Sequence, residues 1–240
     1  MTPTALAPSF AAERLRILAE YERRGRELPA DLWAPWQPGA SWLLRRRGAL
    51  AARLLADQGV FPVSGSPCLE IGCGAVGWFG ELVGWGLRSA DLHGVDLDPS
   101  RVERARAALP TADLRVGDAS ALEWPSGRFA LVIASTVMSS VLDPRMRAAI
   151  AAEITRVLRP GGALLWYDLR TPNPRNAGVR PVSRRELAAL FPSLAGPVRT
   201  ATLAAPLARR VVPLSEGVAG VLELCPWLRT HLLGVLVRRT

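Results

Sequence analysis

Lysine is missing from this chain, and histidine and cysteine are rare. All 30 basic residues are arginine, against 21 acidic residues, so the formal net charge is +9. The three cysteines, Cys68, Cys73 and Cys225, form no CxxC pair, and only His93 and His231 could join them. Disulfide frameworks and Cys/His zinc sites need more of these residues at closer spacing. We therefore expect neither a disulfide scaffold nor a bound metal.

Long hydrophobic runs and targeting signals are missing too. No stretch of about 18 apolar residues is present, and the amino-terminal residues lack a basic start followed by an apolar core. These absences predict no membrane span and a cytoplasmic location. The arginines are scattered, and we interpret the one run of three, Arg45-Arg46-Arg47, as a solvated helix face. Nucleic acid is therefore not a favoured partner. Apolar residues make up 49% of the 240, enough for the core of an α/β domain.

One stretch organises the rest of the chain. Residues 67–71 have the pattern of a short buried strand, Gly72, Gly74 and Gly77 follow as G-x-G-x-x-G, and residues 78–85 begin a helix. Glycine allows positive φ angles in such a turn and lets a ligand approach the backbone. The helix start offers N–H groups without internal partners. The unit fits a nucleoside cofactor, and its spacing alone leaves both NAD and S-adenosylmethionine (SAM) open.

The following residues alternate between strand and helix patterns. Strands are predicted at 92–95, 113–116, 129–134 and 163–167, with helices at 99–109 and 146–158. This alternation is typical of a doubly wound parallel sheet, in which ligands lie at the carboxyl ends of the strands. The polar residues at those ends are Asp96, Asp118, Ser135 and Asp168.

Two helices precede this unit, over residues 8–28 and 41–58, and neither belongs to a nucleotide-binding sheet. They could form a lid over a site or pack on the core, and the residues leave both readings open. We predict a helical extension over 1–61 and a cofactor-binding domain over 62–240, with substrate-side elements at about 169–224. The aromatic candidates for lid contacts to a substrate are Tyr21, Trp33 and Trp36.

In order and spacing, these motifs resemble the class I SAM-dependent methyltransferases of the bacterial small-molecule type, over roughly residues 65–170. The turn at Glu70, Gly72 and Gly74 is similar to their first motif. Gly94-Val95-Asp96 is similar to the strand end that holds ribose, and Gly117-Asp118-Ala119 to the segment that reads the adenine edge. Residues 156–162 are similar to the lead into their fifth strand. Dehydrogenases do not generally combine these features, which argues against NAD.

The resemblance implies an α/β fold with a seven-stranded, mostly parallel sheet whose last strand is antiparallel. Strands at 197–203 and 231–238 would complete this sheet. It also implies SAM as the cofactor, S-adenosylhomocysteine as its product, and no metal. The cofactor-binding residues that it implies are Glu70, Gly72, Cys73, Gly74, Gly77, Asp96, Leu97, Asp118, Ala119 and Ser135.

Methyl transfer from SAM is a direct displacement, so positioning and exclusion of water can carry most of the rate. A base helps when the acceptor is a hydroxyl, and the candidates are Asp168, Tyr167 and His231. Asp168 stands first because strand five ends there, although such an aspartate can equally bind the backbone of the next turn. Further candidates for acceptor contacts are Thr136, Arg170, Asn173 and Arg175.

Absent motifs narrow the acceptor class. Strand four leads into Ala134-Ser135-Thr136-Val137, not an N/D-P-P-Y/F or Pro-Cys motif, which disfavours the corresponding nucleic-acid methylations. The remaining resemblance is to enzymes of bacterial natural-product or glycan pathways that methylate small molecules. Oxygen is the commonest acceptor atom there, with nitrogen and carbon also open. The alternatives are an RNA or protein methyltransferase, suggested by the charge, and a non-enzymatic SAM-binding scaffold; a homodimer is also open.

Overall fold

The computed structural model describes residues 10–75, 77–173 and 176–239. The strands are β1 (Cys68–Ile71), β2 (Leu92–Asp96), β3 (Asp113–Val116), β4 (Phe129–Ser135), β5 (Leu158–Leu169), β6 (Leu194–Ala195), β7 (Val198–Leu203) and β8 (Arg229–Arg238). The α-helices are α1 (Ala11–Glu27), α2 (Pro38–Asp57), α3 (Phe79–Gly84), α4 (Pro99–Ala108), α5 (Pro144–Val157), α6 (Arg184–Leu190), α7 (Ala205–Val211) and α8 (Glu216–Leu224).

The strands form one sheet in the order β3-β2-β1-β4-β5-β8, with β6 and β7 on the far side of β8. The first five strands run parallel, and β8 is antiparallel to its neighbours. β4 lies at the centre, and six of its seven residues are buried because both faces of the sheet are covered. The predicted α/β fold, mostly parallel with an antiparallel last strand, is confirmed.

β6 and β7 share one position in the sheet. Both keep a single register against β8, from Leu194 opposite Arg238 to Leu203 opposite Arg229. Pro197 lies between them and has no N–H to donate, which interrupts the ladder although its carbonyl accepts a β8 N–H. The eight hydrogen-bonded segments therefore occupy seven sheet positions, which agrees with the seven strands that the resemblance implies.

Polar side chains fix the starts of four helices. Asp98 and Asp143 accept backbone N–H groups at the starts of α4 and α5, and both helices begin with proline. Ser183 and Ser215 cap α6 and α8 in the same way. These caps set the residue at which each helix begins.

Each face of the sheet is covered by its own hydrophobic core, and the two amino-terminal helices, α1 and α2, contribute to different cores. Ile17 of α1 packs with Ile71 and Trp166 on one face. Leu55 of α2 packs with Trp78 on the other face. Each helix therefore contributes to a core of the sheet, and a lid role for residues 1–61 stays a prediction. None of the helices in the described ranges combines the length and hydrophobicity needed to cross a bilayer.

Candidate functional site

The turn after β1 is built from three glycines and one buried carboxylate. Gly72, Gly74 and Gly77 have positive φ angles of 63°, 59° and 50°. Glu70 Oε2 accepts the Trp78 N–H at 2.8 Å, and an added Cβ at Gly77 would lie 2.2 Å from the same oxygen. Burial raises the pKa of Glu70 well above the usual range. Glu70, predicted to bind cofactor, thus lies under the turn and fixes its shape.

Asp96 joins this turn to the end of β2. Its Oδ2 accepts the Gly74 N–H at 2.8 Å, and its Oδ1 accepts the Asp98 N–H at 2.9 Å. Each carboxylate oxygen has a further lone pair that can accept a ligand hydroxyl. An added Cβ at Gly74 would meet no atom within 4 Å, so this part of the turn is open.

A cleft lies over the carboxyl ends of β1, β2 and β3 and encloses about 550 Å³, including its open mouth. The structure brings several predicted site residues together in its lining: Tyr21, Gly72, Asp96, Leu97, Asp118 and Ala119. Further lining residues come from α1, from the segment after β4 and from α5: Ile17, Leu18, Val137, Ser140, Val141, Met146 and Ile150. The walls are mainly apolar, with two carboxylates at the edge.

Helix α1 forms one side of this cleft, where the sequence had named only Tyr21 as a candidate contact. Ile17 and Leu18 line the cleft, and Arg14 Nη1 lies 3.1 Å from Asp118 Oδ2. Glu13 accepts the Leu142 N–H in the segment after β4, so α1 is tied to two sides of the cleft. The available signal was the apolar face of α1, but periodicity does not identify the surface that such a face covers.

Five predicted cofactor residues are not in the lining of the cleft: Glu70, Gly74 and Gly77 of the turn described above, and Cys73 and Ser135. Cys73 is fully buried, and burial raises the pKa of its thiol. The Ser135 carbonyl accepts the Thr136 hydroxyl at 2.7 Å. Thr136 itself has a φ of 56°, and its N–H donates to the Tyr167 carbonyl at 2.7 Å. A β-branched residue in this conformation is strained, so contacts of this kind must hold the segment after β4 in place.

Asp168 is buried at the end of β5 and is bound to backbone. Its Oδ2 accepts the Ser139 N–H at 3.0 Å, and its Oδ1 accepts the Leu169 N–H at 2.8 Å. Burial raises its pKa to about 6, although these donors and Arg147 act in the opposite direction. Buried Arg147 supports the same segment by donating to the Val141 carbonyl at 2.6 Å. The carboxylate therefore connects β5 to the short turn after β4.

The buried carboxylate predicts a pH-dependent stability. Asp168 has a pKa of about 6 in the folded chain against 3.8 ordinarily, so the folded state binds its proton more tightly. Its contribution to stability is greatest below pH 3.8 and is lost as the pH rises to about 6. We expect the unfolding free energy of the wild type, relative to Asp168→Asn, to fall by about 3 kcal/mol between about pH 3 and pH 7. Urea unfolding of both proteins measures this difference, and a constant difference would contradict it.

Tyr167 and His231 are stacked on the opposite face of the sheet from Asp168. Their ring centroids are 4.5 Å apart, and the Thr202 hydroxyl lies 2.8 Å from the Tyr167 hydroxyl and 3.1 Å from His231 Nδ1. Burial raises the pKa of Tyr167 to about 12 and lowers that of His231 to about 4. Both side chains are therefore uncharged at neutral pH. His231 pairs with Leu169, so it lies at the carboxyl edge of the parallel strands.

Arg47 of α2 completes this cluster and was missed from the sequence. Its guanidinium carbon lies 3.9 Å from the Trp78 ring centre and 5.7 Å from that of Tyr167. It also pairs with Glu81 at 2.7 Å, and its Nε is buried without a hydrogen-bond partner among the described residues. The run Arg45-Arg46-Arg47 predicted a solvated helix face, but Arg47 points inward. It faces aromatic rings that come from distant parts of the chain.

The two predicted tryptophan contacts lie away from the cleft. Trp33 and Trp36 are 51% and 73% exposed in the connection between α1 and α2. The Arg209 guanidinium carbon lies 5.2 Å from the Trp33 ring centre, which ties this connection to α7. The structure therefore does not bring these tryptophans together with the cofactor turn.

The remaining predicted acceptor contacts lie after β5. Arg170 Nη1 donates to the carbonyls of Pro226 and Arg229, both at 3.0 Å, and so connects the end of β5 to the start of β8. The Asn173 carbonyl accepts a backbone N–H three residues later. Arg175 lies outside the described residues. Across the ranges that the structure describes, no three His, Cys, Asp or Glu side chains are grouped as a metal site would require.

Comparison with known proteins finds similarity over the central part of the chain. Residues 68–162 match the family model described as a methyltransferase domain. The chain is 33% identical over 135 residues to phthiotriol/phenolphthiotriol dimycocerosates methyltransferase of Mycobacterium leprae, covering 52% of this chain and 48% of that protein. It is 32% identical over 134 residues to 2-methyl-6-phytyl-1,4-hydroquinone methyltransferase of Synechocystis sp., covering 51% and 39%. The chain thus matches about half, or less, of the length of these curated relatives.

Solved structures share the fold over a larger part of the chain. Geranyl diphosphate C-methyltransferase of Streptomyces coelicolor, solved with Mg²⁺, geranyl diphosphate and S-adenosylhomocysteine, aligns with a TM-score of 0.65. The alignment covers 94% of this chain and 98% of that one at 17% identity. At this identity the likeness concerns the fold, including the regions before and after the matched domain.

Proposed function

We propose that this chain is a class I SAM-dependent methyltransferase that binds SAM in the cleft over β1, β2 and β3 and methylates a small molecule. The observation that carries this proposal is the meeting of the glycine turn with Asp96 and Asp118 at one edge of the sheet. Asp96 lies at the end of β2, and Asp118 follows β3. A parallel sheet presents its ligand site at these carboxyl ends of its strands.

The residues of the cleft fit SAM by their chemistry. Asp96 keeps lone pairs for ribose hydroxyls while it holds the turn, and Leu97 and Ala119 offer apolar surfaces to an adenine ring. The Asp118 carboxylate can accept a hydrogen bond from the exocyclic amine in place of the Arg14 contact. At Gly74 the missing side chain leaves space beside a backbone with positive φ. When bound, SAM supplies a methyl group on a positively charged sulfur.

The chain's own contribution is positioning, exclusion of water and proton acceptance. Ile17 and Leu18 of α1 cover the apolar wall and exclude water from it. Among the three predicted bases, Tyr167 keeps its proton at neutral pH, and Asp168 is buried and connects β5 to the turn after β4. We therefore expect His231 to accept the proton of a hydroxyl acceptor. Its pKa of about 4 makes it a weak base, so positioning carries most of the rate.

The proposed acceptor is a small molecule with an apolar part, and oxygen is the proposed methylated atom. The names of the similar proteins support this class, because they include a phytyl hydroquinone and a geranyl diphosphate. A bacterial natural-product or glycan pathway is the proposed setting. No feature of the described residues specifically favours RNA or protein as the acceptor.

Calorimetric titration with SAM and S-adenosylhomocysteine is the first test. We expect binding of both, followed by transfer of an isotope-labelled methyl group to a compound in the small-molecule fraction of a bacterial extract, detected by mass spectrometry. Absence of SAM binding would contradict the cofactor assignment. Label recovered only in RNA or protein would contradict the acceptor class, and binding without transfer to any fraction would favour a scaffold role.

A further inference from the structure

The side of α8 that faces solvent is apolar, although solvent-facing sides of helices are normally polar. Ala219 and Glu223, on the other side of the helix, are buried. The residues before and after the helix extend the exposed side. We call the five exposed residues the apolar stripe: Leu214 (86% exposed), Val218 (52%), Val221 (67%), Leu224 (68%) and Trp227 (86%).

Arginines surround the apolar stripe and neutralise its acidic neighbours. Arg45 pairs with Glu216 at 2.7 Å, and Arg46 pairs with Glu223 at the same distance. Arg229 donates to the backbone carbonyls at the end of α8. The two arginines from α2 are 57% and 53% exposed in their side chains, and because exposed ion pairs are weak, lipid phosphates can replace the glutamates as their partners. With Arg229, three arginines and two glutamates border the stripe, which gives this border a net charge of +1.

We infer that the apolar stripe is a docking surface for an anionic phospholipid bilayer. An amphipathic helix binds a membrane surface by burying its apolar side among the lipids, and nearby basic residues attract anionic headgroups. Exposed Trp227 has the amphipathic ring that is enriched at membrane interfaces. Guanidinium groups suit lipid phosphates because their planar donors match the phosphate oxygens. An exposed apolar stripe and an excess of arginine over glutamate thus occur on one surface, as this partner requires.

A second copy of the chain fits the apolar stripe less well. A symmetric contact would place the same surface of both copies face to face, and would bring the surrounding arginines of the two copies together. The stripe also has five residues, whereas a stable protein interface takes about 20–30 residues on each side.

The apolar stripe lies beside the acceptor edge of the sheet. The turn Pro226–Leu228 carries Trp227 and leads directly into β8, and Arg170 at the end of β5 binds this turn. His231 is the third residue after the end of the turn. A docked membrane would therefore face the end of the sheet where the predicted bases lie.

Vesicle co-sedimentation tests this inference with Val221→Asp and Trp227→Ala. We expect the wild type to bind vesicles of equal parts phosphatidylglycerol and phosphatidylcholine, and each variant to bind about tenfold more weakly, because burial of one large apolar side chain contributes a factor of this order. Val63→Asp is the matched control, since Val63 is 66% exposed and lies in a loop before β1, outside the apolar stripe. It should bind like the wild type.

Several outcomes would overturn the assignment. Failure of the wild type to bind the mixed vesicles would do so, as would equal binding to vesicles of phosphatidylcholine alone. An equal loss of vesicle binding in Val63→Asp and Val221→Asp would show that the apolar stripe is not the surface that binds the membrane. A dimer in sedimentation velocity that Val221→Asp dissociates would assign the surface to a second copy. The experiment needs neither cofactor nor acceptor, so its failure is distinguishable from failure of the proposed methyl transfer.

Discussion

Replacement of Gly77 by alanine is expected to abolish SAM binding and to lower the free energy of unfolding by about 3 kcal/mol. The new Cβ would lie 2.2 Å from Glu70 Oε2 and 2.6 Å from the Cys73 carbonyl oxygen. Neither can move easily, because the carboxylate is buried and the carbonyl is backbone. The positive φ of 50° adds a cost of about 1–2 kcal/mol for a residue with a side chain. Urea unfolding and titration with SAM measure the two effects.

Gly80→Ala is the matched control for this substitution. Gly80 lies three residues later in α3, and an added Cβ there would meet no atom within 4 Å. Alanine favours the helix over glycine by up to about 1 kcal/mol, so this variant should be as stable as the wild type or more stable. Wild-type stability and SAM affinity in Gly77→Ala would show that the turn does not depend on this close contact.

Asp96→Ala is expected to weaken SAM binding by about a hundredfold or more, if the proposed cofactor is correct. The substitution removes the acceptor of the Gly74 and Asp98 N–H groups, and with it the acceptor proposed for ribose. Hydrogen bonds to a charged group contribute about 1.5–3 kcal/mol each, and loss of the ribose contact alone would give a change of this order. Calorimetric titration of the variant and the wild type measures the ratio of their dissociation constants.

Asp98→Ala separates cofactor binding from local stability. Asp98 Oδ1 accepts the Ser100 N–H at 2.9 Å at the start of α4, so its loss should cost about 1 kcal/mol of stability. Its side chain is not in the lining of the cleft. We expect near wild-type SAM affinity in this variant. Equal affinities in Asp96→Ala and the wild type, or equal losses in both variants, would contradict the role given to Asp96.

The central sheet could be predicted from the sequence because the residue patterns that indicate its strands and turns are local. The apolar run of β4, the glycines after β1 and the proline at the start of α4 each depend on neighbouring residues. Once the strands are located, the residues at their carboxyl ends are known, and parallel strands place these ends at one edge of the sheet. The residue pattern alone therefore predicts Asp96 and Asp118 at that edge. Both line the cleft.

Contacts between distant segments could not be predicted in this way. The apolar face of α1 was visible in the sequence, but its position against Asp118, across 104 residues, depends on tertiary packing. The same holds for Arg47, which meets Tyr167 across the core, and for Asp168, whose acceptor atoms are used by Ser139 and Leu169. A strand-end carboxylate has the same sequence pattern whether it serves a substrate or the backbone.

Guanidinium contacts to backbone carbonyls have a further consequence in a chain without lysine. Arg147, Arg170 and Arg229 each connect segments by donating to carbonyl oxygens. A guanidinium group presents five N–H donors in a fixed plane, so one arginine can hold two carbonyl oxygens from different segments. Acylating reagents that attack side-chain amines find no lysine in this sequence, so such labelling leaves the connections intact.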